Sequence, residues 1–275
     1  MPDVRANGVD LRYETVGNPD DPALLLIMGL GAQLIDWPAE FCSALAGRGF
    51  HLVMFDNRDA GLSTAFDSDA SYLLTDLAAD AAGLLKALGI PRAHVVGASM
   101  GGMIAQQLTI DHPDLVASLC SIMSTTGDRT VGRATKEAMA ALLTPRVGSR
   151  EDIIAGGMAM SRLIGSPGYP ADEQELHRRA SAKYDRSFRP AGTQRQYAAI
   201  LASPDRTAAL GSVTVPTLVI HGEDDPLIGV SGGRATAAAV PGASLLVIPG
   251  MGHDLPRALW PQVIEAIVTN IDSSR

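Results

Sequence analysis

Two kinds of apolar pattern alternate along the chain. Short runs rich in Val, Ile and Leu, at 23–28, 51–55, 93–98, 117–122, 217–221 and 244–248, place apolar residues at consecutive positions, as strands buried on both faces require. Between them, at about 37–46, 76–88, 100–111, 231–239 and 257–270, apolar residues recur three and four positions apart, the spacing of one helix face. Strands and helices that alternate in this way predict an α/β fold, a mostly parallel sheet with helices on both faces. The opening differs. Positions 9–16 alternate apolar and polar after Asn7-Gly8, a strong tight-turn pair, which predicts an antiparallel hairpin at the sheet edge. Thr75 is the expected N-cap of the helix at 76–88, and Gly89 closes that helix before Pro91.

The alternation lapses between 126 and 212, where helical stretches are broken by Pro145, Gly165, Pro167, Pro170, Pro190 and Pro204 and no buried strand is evident. This predicts a helical cap at 126–212 inserted into a core made of 1–125 and 213–275. The insertion carries eleven Arg and two Lys against nine acids, so its charge is +4 and that of the remainder −12. Solvated helix faces with i,i+4 pairs such as Glu175 with Arg179 are the plain reading of such a segment. A basic cap over an acidic core, guarding a pocket, is the sharper reading.

With 275 residues, 46% of them apolar and 19% charged, the chain can bury a sizeable core, which excludes disorder. A net charge of −8 with scattered basic residues lacks the footprint of nucleic-acid binding. No basic segment leads into an apolar one near the start, and the longest apolar run, 23–28, is far below the roughly 20 residues of a membrane helix. A cytoplasmic protein without nucleic-acid or membrane partners is expected; nothing in the pattern fixes an oligomeric state. Cys42 and Cys120 lack metal-ligand spacing and read as small buried hydrophobes, and no metal is expected.

The informative stretch is 93–102, an apolar strand that runs through Gly97-Ala98-Ser99-Met100-Gly101 into a helical pattern. A bare G-x-S-x-G is a weak signal, but between strand and helix it is a strong one. Such a turn holds the serine in a strained conformation that only small neighbours permit, and lifts its hydroxyl to a helix N-terminus, where developing negative charge is favoured. Serine is a poor nucleophile until a base takes its proton, and the base needs an acid to fix its tautomer. Of six histidines, His51, His94 and His221 fall in predicted strands, His112 follows a helix and His177 lies in the insertion. His253 alone sits in a loop after the last strand, between glycines that can turn it over the sheet edge. For the acid, Glu223, Asp224 and Asp225 stand in a row after the strand at 217–221. Asp225 is preferred, because a tight turn at Gly222 points the third following residue back toward the sheet edge; Asp224 and Glu223 stay open as alternatives. Acyl transfer also needs two N–H donors aimed at the oxyanion. Met100 N–H, beside the nucleophile, is one. Leu30 N–H, in the glycine loop after the first buried strand, is the expected second.

In this order of motifs, serine elbow, late acid and later histidine, the chain resembles the α/β-hydrolase superfamily over essentially its whole length. The family's D-x-R-G-x-G-x-S turn is here Asp56-Asn57-Arg58-Asp59-Ala60-Gly61-Leu62-Ser63, with Asp59 in place of the customary glycine. Its His-Gly pair before the oxyanion loop is Met28-Gly29, and the usual proline four residues after the acid is Gly229. The Met-Gly loop and the D-x-R-D turn are similar to those of aclacinomycin methylesterase-type serine esterases. The resemblance implies an inserted cap, a bracing role for Asp56 and Arg58, and a cofactor-free serine hydrolase that cleaves a carboxylic ester of a small molecule through an acyl-enzyme. Lactone hydrolysis or perhydrolysis would use the same residues. Epoxide and haloalkane hydrolysis, whose enzymes carry Asp as nucleophile, are disfavoured. A small-molecule receptor on the same fold is the reading of another class. Met28, Met100, Met123 and Met251 all border loops that should converge on the site. Unbranched and polarizable, they predict an adaptable apolar pocket, with Met28, Met123 and Met251 in its wall, for medium or bulky uncharged acyl groups.

Overall fold

A computed structural model describes residues 2–67 and 69–273. The first hairpin joins β1 (Asp3–Ala6) to β2 (Val9–Val16) through Asn7 and Gly8, both with positive φ. Six further strands follow: β3 (Ala23–Ile27), β4 (His51–Phe55), β5 (Ala93–Ala98), β6 (Val116–Ile122), β7 (Thr217–Gly222) and β8 (Ser244–Ile248). They form one sheet in the order β1-β2-β4-β3-β5-β6-β7-β8. β1 and β2 pair antiparallel, β2 with β4 likewise, and every later pairing is parallel.

Successive strand residues point to opposite faces, and the consecutive apolar runs of β3 and β4 feed two cores. On one face Leu25, Ile27, Val53 and Phe55 pack against α2 (Leu74–Ala87) and α3 (Met100–Asp111). On the other, Leu24, Leu26, Leu52 and Met54 pack against α1 (Ala39–Ala46) and α10 (Trp260–Asp272). Cys42 and Cys120 are free thiols buried in that second core, where burial pushes the Cys42 thiol up to about 12. Of the described residues, no helix is long and apolar enough to cross a membrane.

Between β6 and β7 the stretch 126–212 carries α4 (Lys136–Leu143), α5 (Arg150–Ile164), α6 (Glu173–Arg186), α7 (Pro190–Ala202) and the single turn α8 (Thr207–Leu210), with no strand. The remaining framework helix, α9 (Ser231–Ala239), lies between β7 and β8. Three local expectations are corrected. Thr75 is not the N-cap of α2, because Asp76 Oδ2 accepts from Leu73 N–H at 2.8 Å and starts the helix two residues earlier, with Leu73 as N-cap. Glu175 pairs with Arg178, one turn position nearer than Arg179, whose guanidinium reaches the Asp36 carbonyl. The helices expected at 37 and 257 begin as α-helices at Ala39 and Trp260, each preceded by a short 3-10 turn.

Candidate active site

All the groups singled out from sequence as chemically active lie at the carboxyl ends of the parallel strands. β5 runs into Ser99, whose φ of 57° and ψ of −121° hold it outside the ordinary regions. The flanking glycines are obligatory. A Cβ on Gly97 would stand 2.0 Å from the Gly101 carbonyl oxygen, and one on Gly101 2.0 Å from that of Ile27. The elbow is pinned by Ser99 N–H to Ile122 O at 2.9 Å, and by Ser124 Oγ, which donates to Ser99 O at 2.8 Å. Such strain persists only where the surroundings over-determine it.

His253 reaches back from the loop after β8 and stands with Nε2 2.9 Å from Ser99 Oγ. Its Nδ1 is 2.7 Å from Asp225 Oδ2, so the carboxylate accepts the Nδ1 proton and leaves Nε2 free to accept from the serine. Asp225 is buried, and its other oxygen accepts from Leu227 N–H and Ile228 N–H at 2.8 and 2.9 Å. Asp224 turns away, its Oδ2 accepting from Gly250 N–H, and Glu223 is exposed. A second imidazole, His221, lies 3.6 Å from Asp225 Oδ2, with Nε2 bonded to Ile228 O at 2.7 Å. Burial pushes the His221 pKa down, which keeps this ring neutral.

The two expected oxyanion donors flank the serine. Met100 is the first residue of α3, so its N–H has no acceptor within the helix. Leu30 follows Gly29, where a Cβ would lie 3.0 Å from Ser99 Cβ; glycine lets that loop lie against the nucleophile. The loop is held from two sides. Asn57 Nδ2 donates to Met28 O at 3.0 Å, and Gly31 N–H donates to Gln196 Oε1 of α7 at 2.8 Å. Gln196 is fully buried and donates its amide to Arg58 O at 2.7 Å. Asp56 accepts from Leu34 N–H and Leu62 N–H, and Arg58 makes two 2.6 Å bonds to the buried Asp80, so both brace the turn beneath the site.

Asp59 takes the place of a glycine and keeps the glycine conformation, with φ of 67°. Its carboxylate accepts both arms of Arg195 at 2.8 Å, the Phe66 N–H and the Tyr72 hydroxyl. Burial by itself would raise this carboxyl, but Arg195 and the other donors outweigh it and hold the pKa below the usual range.

A cavity of about 950 Å³ opens over Ser99 and His253. Met28 and Met123 line it, as do Met100, Met103 and Met139. Met251 does not. It is fully buried in the core beneath the loop, where its carbonyl accepts from Asp224 N–H, and the side chain packs below the turn instead of entering the cavity. No local pattern marks Gln196, Arg195 or Met139, which come from the helical segment, or Ser166, whose hydroxyl closely contacts Asp254 beside the histidine. Asp59 in a glycine position was the one local signal that a partner had to exist. Among the described residues no group of three or more His, Cys, Asp or Glu could hold a metal ion.

A strained serine and a buried acid–imidazole pair over a parallel sheet define the α/β-hydrolase class of site. Residues 22–256 match the family model described as alpha/beta hydrolase fold, and the chain belongs to that family. It is 32% identical to rhodomycin D methylesterase DauP of Streptomyces sp. (strain C5), over 94% of both chains. It is 29% identical to 3-oxoadipate enol-lactonase 2 of Acinetobacter baylyi, over 83% of this chain and 81% of that one. The fold superposes on the esterase RhEst1 from Rhodococcus with a TM-score of 0.82 at 22% identity, covering 99% and 98% of the two chains.

Proposed function

We propose that the chain is a cofactor-free serine hydrolase that cleaves a carboxylic ester of a largely apolar small molecule through an acyl-enzyme. The observation that carries this reading is the unbroken line Asp225–His253–Ser99, with contacts of 2.7 and 2.9 Å, opening on a methionine-rich cavity. Likeness to a methylesterase and to an enol-lactonase supports ester-bond chemistry, open-chain or cyclic.

Ser99 Oγ attacks the ester carbonyl while its proton passes to His253 Nε2. The imidazolium is stabilised by Asp225, which stays ionised. Charge on the carbonyl oxygen is taken by Leu30 N–H and Met100 N–H, each such donor being worth roughly 10²–10³ in rate. His253 then gives the proton to the departing alkoxide, and the alcohol leaves. Water enters, loses a proton to the same imidazole, and releases the acid. Helices α4–α7 act as a cap that encloses the acyl group.

The test is ester turnover combined with labelling by a fluorophosphonate. Ser99→Ala abolishes both in a protein that unfolds at the wild-type temperature, because the hydroxyl fills no core volume. Asp225→Asn loses about 10⁴ in kcat, as when an amide fixes the wrong tautomer in serine proteases. Asp224→Asn loses far less. Turnover retained by Ser99→Ala, or an inactive Asp224→Asn beside an active Asp225→Asn, overturns the assignment. A receptor would label once and not turn over.

A further inference from the structure

Charge is distributed unevenly around the cavity. Away from the cavity, the buried and half-buried cations around the turn beneath the site are held by carboxylates, as Arg58 is by Asp80 and Arg195 by Asp59. On the cavity wall, Arg129, Arg133, Lys136, Arg179 and Arg206 have no carboxylate within ion-pair distance among the described residues. Three carboxylates share that wall. Asp36 is taken by Lys183 at 3.0 Å, Asp128 bonds Thr130, and the Asp254 carboxyl, pushed up by burial, bonds Ser166. A chain with a net charge of −8 thus presents a cationic cavity.

Four of the five cations are exposed at the rim; Arg206 is only 3% exposed. Its Nε donates to Gln106 Oε1 at 3.2 Å and its Nη2 to Thr125 O at 3.0 Å, both neutral acceptors. These two bonds use Nε and Nη2 and leave Nη1 for a ligand. The neighbouring Asp205 carboxylate acts on Arg206 favourably but makes no ion pair with it, and burying a guanidinium whose hydrogen bonds all go to neutral acceptors is costly. Burial lowers its pKa to about 10, so it still carries its charge at neutral pH. Ser99, Met103 and Gln106 are spaced four and three residues apart, on one face of α3. Ser99 and Met103 line the cavity, and Arg206 lies over Gln106 at the next step along that face. Seven residues of helix separate Gln106 from the serine by about 10 Å.

Resting on the ester-hydrolase reading, we propose that the natural substrate carries a second, acidic group, a carboxylate or similar anion, about 10 Å from the scissile carbonyl. Arg206 binds that group and the rim cations draw it in. The alcohol leaves from the His253 side, since that imidazole returns its proton, whereas Arg206 lies along α3. The acid therefore belongs to the acyl portion. This amends the uncharged acyl group expected from the methionines: they receive an apolar body, and the arginine receives its charged end.

The experiment compares p-nitrophenyl octanoate with the mono-p-nitrophenyl ester of octanedioic acid, equal in length and different only in the terminal carboxylate. Wild type is expected to favour the charged ester by about tenfold or more in kcat/KM, mostly through KM, and the advantage shrinks with added salt. Arg206→Gln removes the preference while octanoate turnover stays within about twofold, and Arg206→Lys keeps part of it. If Arg206→Gln does not fold, the wild-type ratio and its salt dependence still decide, together with Arg129→Ala/Arg133→Ala/Lys136→Ala, which lowers turnover of the charged ester alone. Equal turnover of the two esters by wild type, or a preference that survives in folded Arg206→Gln, overturns the proposal. Failure to turn over either ester would instead overturn the ester-hydrolase reading.

Discussion

The helical segment meets the core along two seams made of different material. On the oxyanion side, α6 and α7 are fastened by charge and amide groups: Arg195 to Asp59, Arg186 to the buried Asp56 at 2.8 Å, and Gln196 to Gly31. On the histidine side the fastening is mostly main chain. His253 N–H donates to Ile164 O at 2.7 Å and Gly168 N–H to Gly250 O at 2.9 Å, with Ser166 Oγ accepting from Gly252 N–H. The first seam depends on which side chains are present. The second depends on side chains being absent, since a Cβ on Gly252 would lie 2.4 Å from the Gly165 carbonyl oxygen. One helical segment thereby holds both the 28–31 loop and the loop of His253, by two independent means.

Steric damage to the main-chain seam carries the largest expected effect. Gly252→Ala should displace the loop that holds His253 and cost roughly 10² in kcat/KM, since a misplacement of about 1 Å is worth that much. Kinetics alongside the melting temperature check it; near-wild-type activity would mean that the loop is not held by this contact.

Next comes the charged seam. Asp59→Asn leaves the Arg195 guanidinium without its partner and should cost about 3 kcal/mol in denaturant unfolding. Asp59→Gly suits the φ of 67° and should still lose stability, because the ion pair and not the backbone is at stake.

Gln196→Leu tests whether the charged seam acts on chemistry as well as on stability. It removes the acceptor for Gly31 N–H and should lower kcat by about tenfold, with KM little changed, as a misaligned oxyanion donor does. Affinity for a boronic acid, which mimics the tetrahedral oxyanion, should fall in parallel.

The smallest expected effect concerns acid. Burial lowers the His221 pKa, so its neutral form contributes stability above the ordinary histidine value of about 6.5, lost as pH falls from there toward the lower folded value. Asp59 is also lowered, but as a carboxylate: its contribution holds above about pH 3.9 and is lost only below that. On acidification the packing around His221 should therefore weaken before the Asp59 ion pair does. Unfolding free energies between pH 7.5 and 5 should fall by at most about 1.4 kcal/mol per pH unit from this group, and His221→Asn should flatten that slope.

The elbow was legible because its requirement is local: strand, two glycines around Ser99, then helix, each set by sterics within a few residues. The same holds for β3 to β7, whose consecutive apolar residues have nowhere to go but two buried faces; β8 is the exception, because as the edge strand it leaves Leu245 exposed and buries only Ile248. Met251 was misread for the opposite reason. Proximity to His253 along the chain does not fix which way a side chain turns, and here it turns into the core.

Residue types and their order thus determined the sheet, the helical insertion and the atoms able to react, since each follows from short-range periodicity and backbone sterics. Only the tertiary structure decided which carboxylate of 223–225 meets the imidazole, which cap residue holds Gly31, and which cations are left unpaired at the cavity. Those outcomes depend on contacts between residues that lie tens to more than 150 positions apart, such as Gly31 with Gln196. Pairing at that range is fixed by how whole elements pack, and no local pattern records it.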